Sequence, residues 1–181
     1  MIYLIRHGEP SAGWGDHLDP GLSPLGITQA EAAAEVLARS GAMRAVTSPL
    51  ARCRETARPF EKQRETHARI DSGVGEVPTP PGIAPLERPN WLKGVMAGAW
   101  SDAGAGFLNW RADILAAVER CADETVIFSH FIAINALVGL LSNDDRVVIF
   151  KPGHCSITKL ARRSGKLILA ELGSEGGLVA L

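Results

Sequence analysis

Ile2-Tyr3-Leu4-Ile5-Arg6-His7-Gly8-Glu9 decides how this chain is read. Four apolar, β-favouring residues run into a polar tetrad that contains glycine. That pattern reads as a strand ending at a sheet edge, where it presents Arg6 and His7. An imidazole beside a permanently charged guanidinium is a poor site for a cation and a good one for an anion. Imidazole is also a covalent nucleophile, and the planar fork of arginine matches phosphate. A bare Arg-His pair at a strand end is otherwise a solvated turn, so the rest of the chain must decide.

Outward from this stretch, strand and helix signals alternate. Ser23-Pro24 opens a helix, with serine as cap and proline in the first turn. It runs to about Leu37, and Gly41 is placed to stop it. Residues 44–47 read as a strand, and Ser48-Pro49 repeats the helix-start signal before residues 50–64. Residues 68–72 and 146–150 read as further strands, and 107–121 as an amphipathic helix. The continuous apolar run Thr125-Val126-Ile127-Phe128 predicts a buried central strand, followed by a helix over 130–141. Arg162-Arg163-Ser164-Gly165-Lys166 predicts a hairpin turn between strands at 156–161 and 167–171. Five of the eleven prolines fall between residues 78 and 89, which predicts a loop or lid, with a short helix over 91–100. The whole predicts an α/β fold, a three-layer α/β/α sandwich with a mostly parallel central sheet. It is read as a single domain over 1–181 with a short Pro-rich lid around 77–100.

Composition narrows the function. The chain has 181 residues, 46% hydrophobic and 22% charged, with a net charge of −1. Such a charge provides no field for nucleic acid or an anionic membrane, so any anion must be held by a local cluster. Cys53, Cys121 and Cys155 show neither metal-ligand spacing nor a disulfide framework, which fits a reducing compartment. No signal peptide is expected from the first residues. The apolar stretch 131–141 is too short to span a bilayer. A cytoplasmic location is expected. Oligomeric state is not readable.

In sheets of this kind ligands sit at the carboxyl ends of the strands. Arg6-His7 follows the first strand, Ser48 to Arg52 the second, and Ser129-His130 the buried one. If these strands are parallel neighbours, two histidines, two arginines and two helix N-termini converge on one crevice. That is a phosphate site built without a metal.

These segments resemble the histidine phosphatase superfamily, with its phosphoglycerate mutase-like fold. Arg6-His7-Gly8-Glu9 is similar to its RHG(E/Q) signature. Leu22-Ser23-Pro24-Leu25-Gly26-Ile27-Thr28-Gln29-Ala30 resembles its LTxxGxxQA helix start, and residues 47–57 its SSPLxRxxxTA segment. Val126 to His130 resembles its VSH strand end, and Ser156-Ile157-Thr158 a weaker late strand. The resemblance implies that His7 accepts the phosphoryl group, that Arg6 and Arg52 grip its oxygens, and that His130 adds a donor as an imidazolium. It implies Glu76 as the general acid, and neither metal nor cofactor. Glu9 is expected to brace the loop. His154 stands where relatives often have Asn, Phe131 where many have Gly, and Gly13 where mutases carry an Asn. His17 is expected either to touch substrate or to be solvated. Trp14, Trp91, Trp100 and Trp110 are expected to pack.

The activity so implied is a metal-independent phosphomonoesterase of the histidine acid type, acting on a small phosphorylated substrate or a phosphoprotein. Alternatives are mutase-type phosphoryl transfer, a phosphohistidine-protein phosphatase, and a non-catalytic phosphate-binding module. The chain lacks the long insertion and the Arg-Tyr-Gly and Asn-Lys signatures of mutases, which favours hydrolysis. Residues 14–19 and 77–100 are expected to set substrate choice.

Overall fold

A computed structural model describes residues 1–13, 18–84 and 86–176. Trp14 and His17, singled out above, lie outside the described residues. The strands are β1 Ile2–Arg6, β2 Arg44–Thr47, β3 Arg69–Ile70, β4 Thr125–Ser129, β5 Ile157–Arg163 and β6 Lys166–Glu171. The helices are α1 Pro24–Ala38, α2 Ala51–Arg64, α3 Arg88–Met96, α4 Ala105–Glu119 and α5 Phe131–Ser142. Among the described residues, no helix is long and apolar enough to cross a membrane.

The sheet order is β3-β2-β4-β1-β5-β6. The pairs β3/β2, β2/β4 and β4/β1 are parallel, while β5 and β6 run antiparallel at one edge. Alternation along β1 splits the core. Ile2 and Leu4 pack with Ile127 and the apolar faces of α4 and α5. Tyr3 and Ile5 pack with Val126, Phe128 and residues of α1 and α2. Helices thus cover both faces, and the three-layer sandwich with a mostly parallel sheet is the observed fold. The β5–β6 turn places Ser164 and Gly165 at φ 50° and 80°, as a two-residue hairpin turn requires.

Three local expectations need correction. Residues 146–150 form no strand. The N–H groups of Ile149 and Phe150 donate to Oδ1 of buried Asn135, at 2.8 and 3.1 Å, so one side chain stands in for a strand partner. The Pro-rich stretch holds a regular helix earlier than expected. Proline is tolerated where helix N–H groups have no intrahelical acceptor, and α3 starts at Arg88 with Pro89 in its first turn. Finally, Ser48 does not cap α2. The helix begins after Leu50, and the Ala51 N–H donates to Asp19 Oδ1 at 2.8 Å.

The loop after β1 is pressed onto the start of α1. Ser23 caps that helix through the Gly26 N–H, and its hydroxyl donates to Glu9 Oε1 at 2.8 Å. The Glu9 N–H donates to Gln29 Oε1 at 2.9 Å, so Glu9 is the expected brace. A Cβ on Gly26 would lie 2.1 Å from the Glu9 carbonyl oxygen, and one on Gly8 2.6 Å from that of Gly26. Both contacts are with backbone, which cannot swing aside. A Gly26→Ala substitution is therefore expected to cost about 1–3 kcal/mol through overpacking. Calorimetry should show a melting point lower by about 3–10 °C. An unchanged melting point would contradict the close packing of this loop.

Candidate active site

Register brings the chemistry together. Arg6 lies opposite Ser129 across the β1/β4 pair, and Thr47 opposite Phe128 across β2/β4. The three strands therefore end side by side. His7, Ser48 and His130, each the next residue, emerge at one crevice. The rings of His7 and His130 lie 5.3 Å apart between centroids, and His154 brings a third imidazole 5.8 Å from His7.

His7 is 7% exposed, and its Nδ1 lies 2.8 Å from the Gly8 carbonyl oxygen. A carbonyl can only accept, so Nδ1 carries the proton and the lone pair sits on Nε2. Burial, with the charges of Arg52, Arg6 and His154, holds the His7 pKa well below its usual 6.5, despite the opposing Gly8 hydrogen bond. The ring is neutral at neutral pH. The Gly8 N–H is fixed by Thr56 Oγ1 at 2.9 Å, and that hydroxyl donates to the Arg52 carbonyl at 2.6 Å. The loop carrying His7 and the first turn of α2 are thereby locked together.

The guanidiniums are placed one by one. Arg6 Nη1 donates to the Pro152 carbonyl at 2.8 Å, and its Cζ stacks 5.1 Å from the centre of the Phe131 ring. Phe131 thus supports Arg6 as a platform. Arg6 Nε is buried, with no hydrogen-bond partner among the described residues. Burial outweighs the pull of Glu76 and Cys155, and brings the Arg6 pKa down to about 10. Arg52 directs Nη2 to His130 Nδ1 at 3.3 Å and Nη1 toward Asp19 Oδ1 at 4.0 Å.

His130 is fully buried, and its Nε2 lies 2.7 Å from Ser48 Oγ. The Arg52 guanidinium can only donate, so Nδ1 accepts and Nε2 donates to Ser48. Burial, His7 and the three nearby arginines push the His130 pKa well below 6.5. The expected imidazolium is therefore a neutral ring in this site. Cys53 Sγ packs 3.3 Å from the same Nε2, and burial raises its thiol pKa strongly, so it is inert.

Glu76 stands at the amino end of α5. Its Oε1 accepts the Val77 N–H at 2.9 Å and its Oε2 the Ile132 N–H at 3.4 Å. The Ser129 hydroxyl fastens this segment through the Val74 carbonyl at 2.7 Å. Burial raises the Glu76 pKa above its usual 4.5, against the pull of those N–H groups and of Arg52 and Arg88. The two helix N-termini are thus occupied by Asp19 and Glu76 rather than free for an anion, as the sequence reading had them.

Arg88 escaped the sequence reading. It lies in the Pro-rich stretch, where its Nε donates to Thr79 Oγ1 at 2.7 Å and Nη2 approaches the Val77 carbonyl at 3.4 Å. Its charge reaches Glu76, Arg52 and His130. No motif marks it, because its approach depends on how 77–88 folds back. His154 is likewise at the site, with burial and Arg6 holding its pKa down at about 4. Arg54, Arg58 and His67 are exposed. Trp91 stacks on Phe107, and Trp100 packs on Trp110.

Residues 2–80 match the family model of the histidine phosphatase superfamily (branch 1), a stretch containing Arg6, His7, Arg52 and Glu76. Over these residues the chain is similar to the histidine phosphatase superfamily. A glucosyl-3-phosphoglycerate phosphatase of Mycobacterium tuberculosis is 27% identical over 188 residues, covering 98% of this chain and 80% of that protein. The structure of the mycobacterial glucosyl-3-phosphoglycerate phosphatase complexed with VO3 superposes with TM-score 0.74 at 25% identity, covering 96% of this chain and 98% of that one. Phosphoserine phosphatase from Entamoeba histolytica, solved with 3-phosphoglyceric acid, shares the fold with TM-score 0.73 at 22% identity, covering 96% of each chain.

The electrostatics of Glu76 can be read without any reaction. In a ¹³C NMR titration its carboxyl should titrate above the usual 4.5. Arg88→Met removes a cation that stabilises the carboxylate, so the midpoint should move further up. A midpoint that stays put, or falls, would remove Arg88 from contact with Glu76.

Proposed function

We propose that this chain is a metal-independent phosphomonoesterase of the histidine acid type, working through a phosphohistidine at His7. The observation that carries the proposal is a neutral, oriented His7 facing a half-buried cluster of guanidiniums, in which the buried Arg6 Nε has no partner among the described residues. A phosphate monoester supplies the missing anion. Arg6, Arg52 and Arg88 surround its equatorial oxygens, where charge must be neutralised as the phosphoryl group transfers.

In the first step His7 Nε2 attacks phosphorus. The N–P bond forms, the ester P–O bond breaks, and the departing alkoxide takes a proton from Glu76. In the second step water attacks phosphorus and gives a proton to Glu76. The N–P bond breaks, releasing inorganic phosphate and neutral His7. The substrate dianion offsets the cations that depress His130. Burial, the larger cause, still keeps the ring neutral, so Nδ1 accepts from Arg52 and steers it toward the phosphoryl oxygens while Nε2 donates to Ser48. The whole chain acts as one catalytic unit, with residues 77–100 as its lid. The relatives named above fit a small phosphorylated metabolite as substrate.

Turnover of p-nitrophenyl phosphate is expected to persist in excess EDTA and to vanish in His7→Ala. Activity lost on chelation, or retained in the variant, would overturn the proposed route. Replacing Glu76 by Gln removes the acid, worth about 10²–10⁴ in rate. The loss should be large for an alkyl phosphate and small for the first step with p-nitrophenyl phosphate, whose leaving group needs no proton. Equal losses in pre-steady-state phosphorylation of His7 by the two substrates would rule out the assigned role. With an alkyl phosphate, kcat/KM should fall as pH rises through the raised Glu76 pKa. On the acid side it should hold below pH 6.5, the usual histidine value, because His7 stays neutral there.

A further inference from the structure

At the opposite end of the sheet from His7, a cleft of about 300 Å³ opens between the starts of β2, β3 and β4 and the end of α4. Arg44, Arg69, Arg120 and His67 line it with Thr66, and among the described residues no carboxylate does. Register explains the convergence. Arg44 lies opposite Thr125 across β2/β4, and Arg69 opposite Val46 across β3/β2, so both arginines stand at the amino ends of parallel neighbours. Arg120 joins them as the C-cap of α4. Two carboxylates stand nearby, and cations engage both. Asp71 Oδ2 accepts from Arg69 Nη1 at 2.8 Å, and its Oδ1 accepts the Gly73 N–H at 2.9 Å. Asp123 Oδ1 faces Arg162 Nε at 3.3 Å and the Met1 amino group at 3.8 Å. A helix C-terminus ordinarily repels an anion, because its last carbonyls are free. Here donors cover them. Arg162 Nη2 donates to the Glu119 and Cys121 carbonyls at 2.9 and 2.7 Å. The Thr125 hydroxyl donates to the Ala122 carbonyl at 2.7 Å, and Arg44 Nη1 to that of Asp123 at 3.3 Å. Among the described residues Arg120 makes no side-chain hydrogen bond or ion pair, yet its charge and that of Arg69 reach both Asp71 and the Cys121 thiol.

We propose that this cleft binds a diphosphate group, at a site separate from the catalytic one. Three guanidiniums against the one carboxylate that shares them, Asp71, leave a clear excess of positive charge in a chain of net charge −1. Each guanidinium offers a planar fork that matches phosphoryl oxygens. The forks come from three elements, so one phosphate cannot meet all of them face on, whereas the oxygens of two linked phosphoryl groups can. The volume lies at the lower end of the range for small-molecule pockets. It takes a diphosphate and leaves whatever is esterified to it in solvent. β2 and β4 run from this cleft to the catalytic crevice. Arg44 and Ser48 are four residues apart along the chain from β2, about 13 Å at strand rise, so the two sites do not overlap and can be filled together.

Methylenediphosphonate, whose P–C–P link resists hydrolysis, is the probe, titrated into ¹⁵N-labelled protein and followed by amide NMR shifts. The amides of His67, Cys121 and Ala122 should move together with a Kd below about 1 mM. α,β-Methylene-ADP should move the same amides, with a lower Kd if the site takes an esterified diphosphate and a higher one if it takes the free anion. In the double variant Arg44→Gln, Arg120→Gln the Kd read at the cleft should rise at least about tenfold, as loss of charge-assisted bonds requires. The amides of Gly8 and Ser48, at the catalytic crevice, should keep their wild-type response, which shows that the variant is folded. Cleft amides that stay still while those of Gly8 and Ser48 move, or a cleft Kd unchanged in the double variant, would overturn the diphosphate site and leave the phosphatase reading as it stands.

Discussion

In the parallel pairing of β1 with β4, Arg6 lies opposite Ser129, so the two strands end level and their next residues are His7 and His130. The β2/β4 register then sets Ser48 beside them. A slip of one residue along β1 would turn Ile2 and Leu4 to the opposite face and carry Arg6 with them. The same hydrophobic alternation that builds the two cores therefore fixes the positions of the reactive side chains. Gly8 and Gly26 complete the constraint, because the backbones after β1 and at the start of α1 approach too closely for any larger residue.

Electrostatically the site concentrates positive charge. Arg6 is desolvated, its Nε is unpartnered among the described residues, and Arg52 and Arg88 add like charge nearby. The surroundings answer by keeping both imidazoles neutral and by holding Glu76 against the amino end of α5. Neutral His7 is what nucleophilic attack needs. A carboxyl whose pKa is raised by burial is what proton donation needs. The same burial thus serves opposite protonation states on two groups a few residues from the same strand ends.

Much of this could be read from the chain. The convergence of Arg6, His7, Arg52 and His130 on one crevice depends on short segments in which strand, turn and helix start are encoded by adjacent residues, so local pattern sufficed. What escaped depends on tertiary placement. Val147-Val148-Ile149-Phe150 has every mark of a strand, yet the Ile149 and Phe150 N–H groups turn to Asn135, a residue on α5 that no periodicity links to them. Ser48 looks like a helix cap and instead receives the His130 N–H, while Asp19 takes the cap position from a distant loop. Arg88 was hidden by the prolines around it. Glu76 carries no motif of its own, and its place follows from the bond between Ser129 and Val74.

The central claim is that the phosphoryl group rests covalently on His7 between substrate and water. Rapid acid-free quenching of the enzyme with ³²P-labelled substrate, followed by peptide mapping, addresses it directly. The account predicts a base-stable, acid-labile label on the peptide containing His7, formed within one turnover and discharged by water. A label on His130 or His154, or single-turnover hydrolysis with no labelled enzyme and inversion at phosphorus, would contradict it.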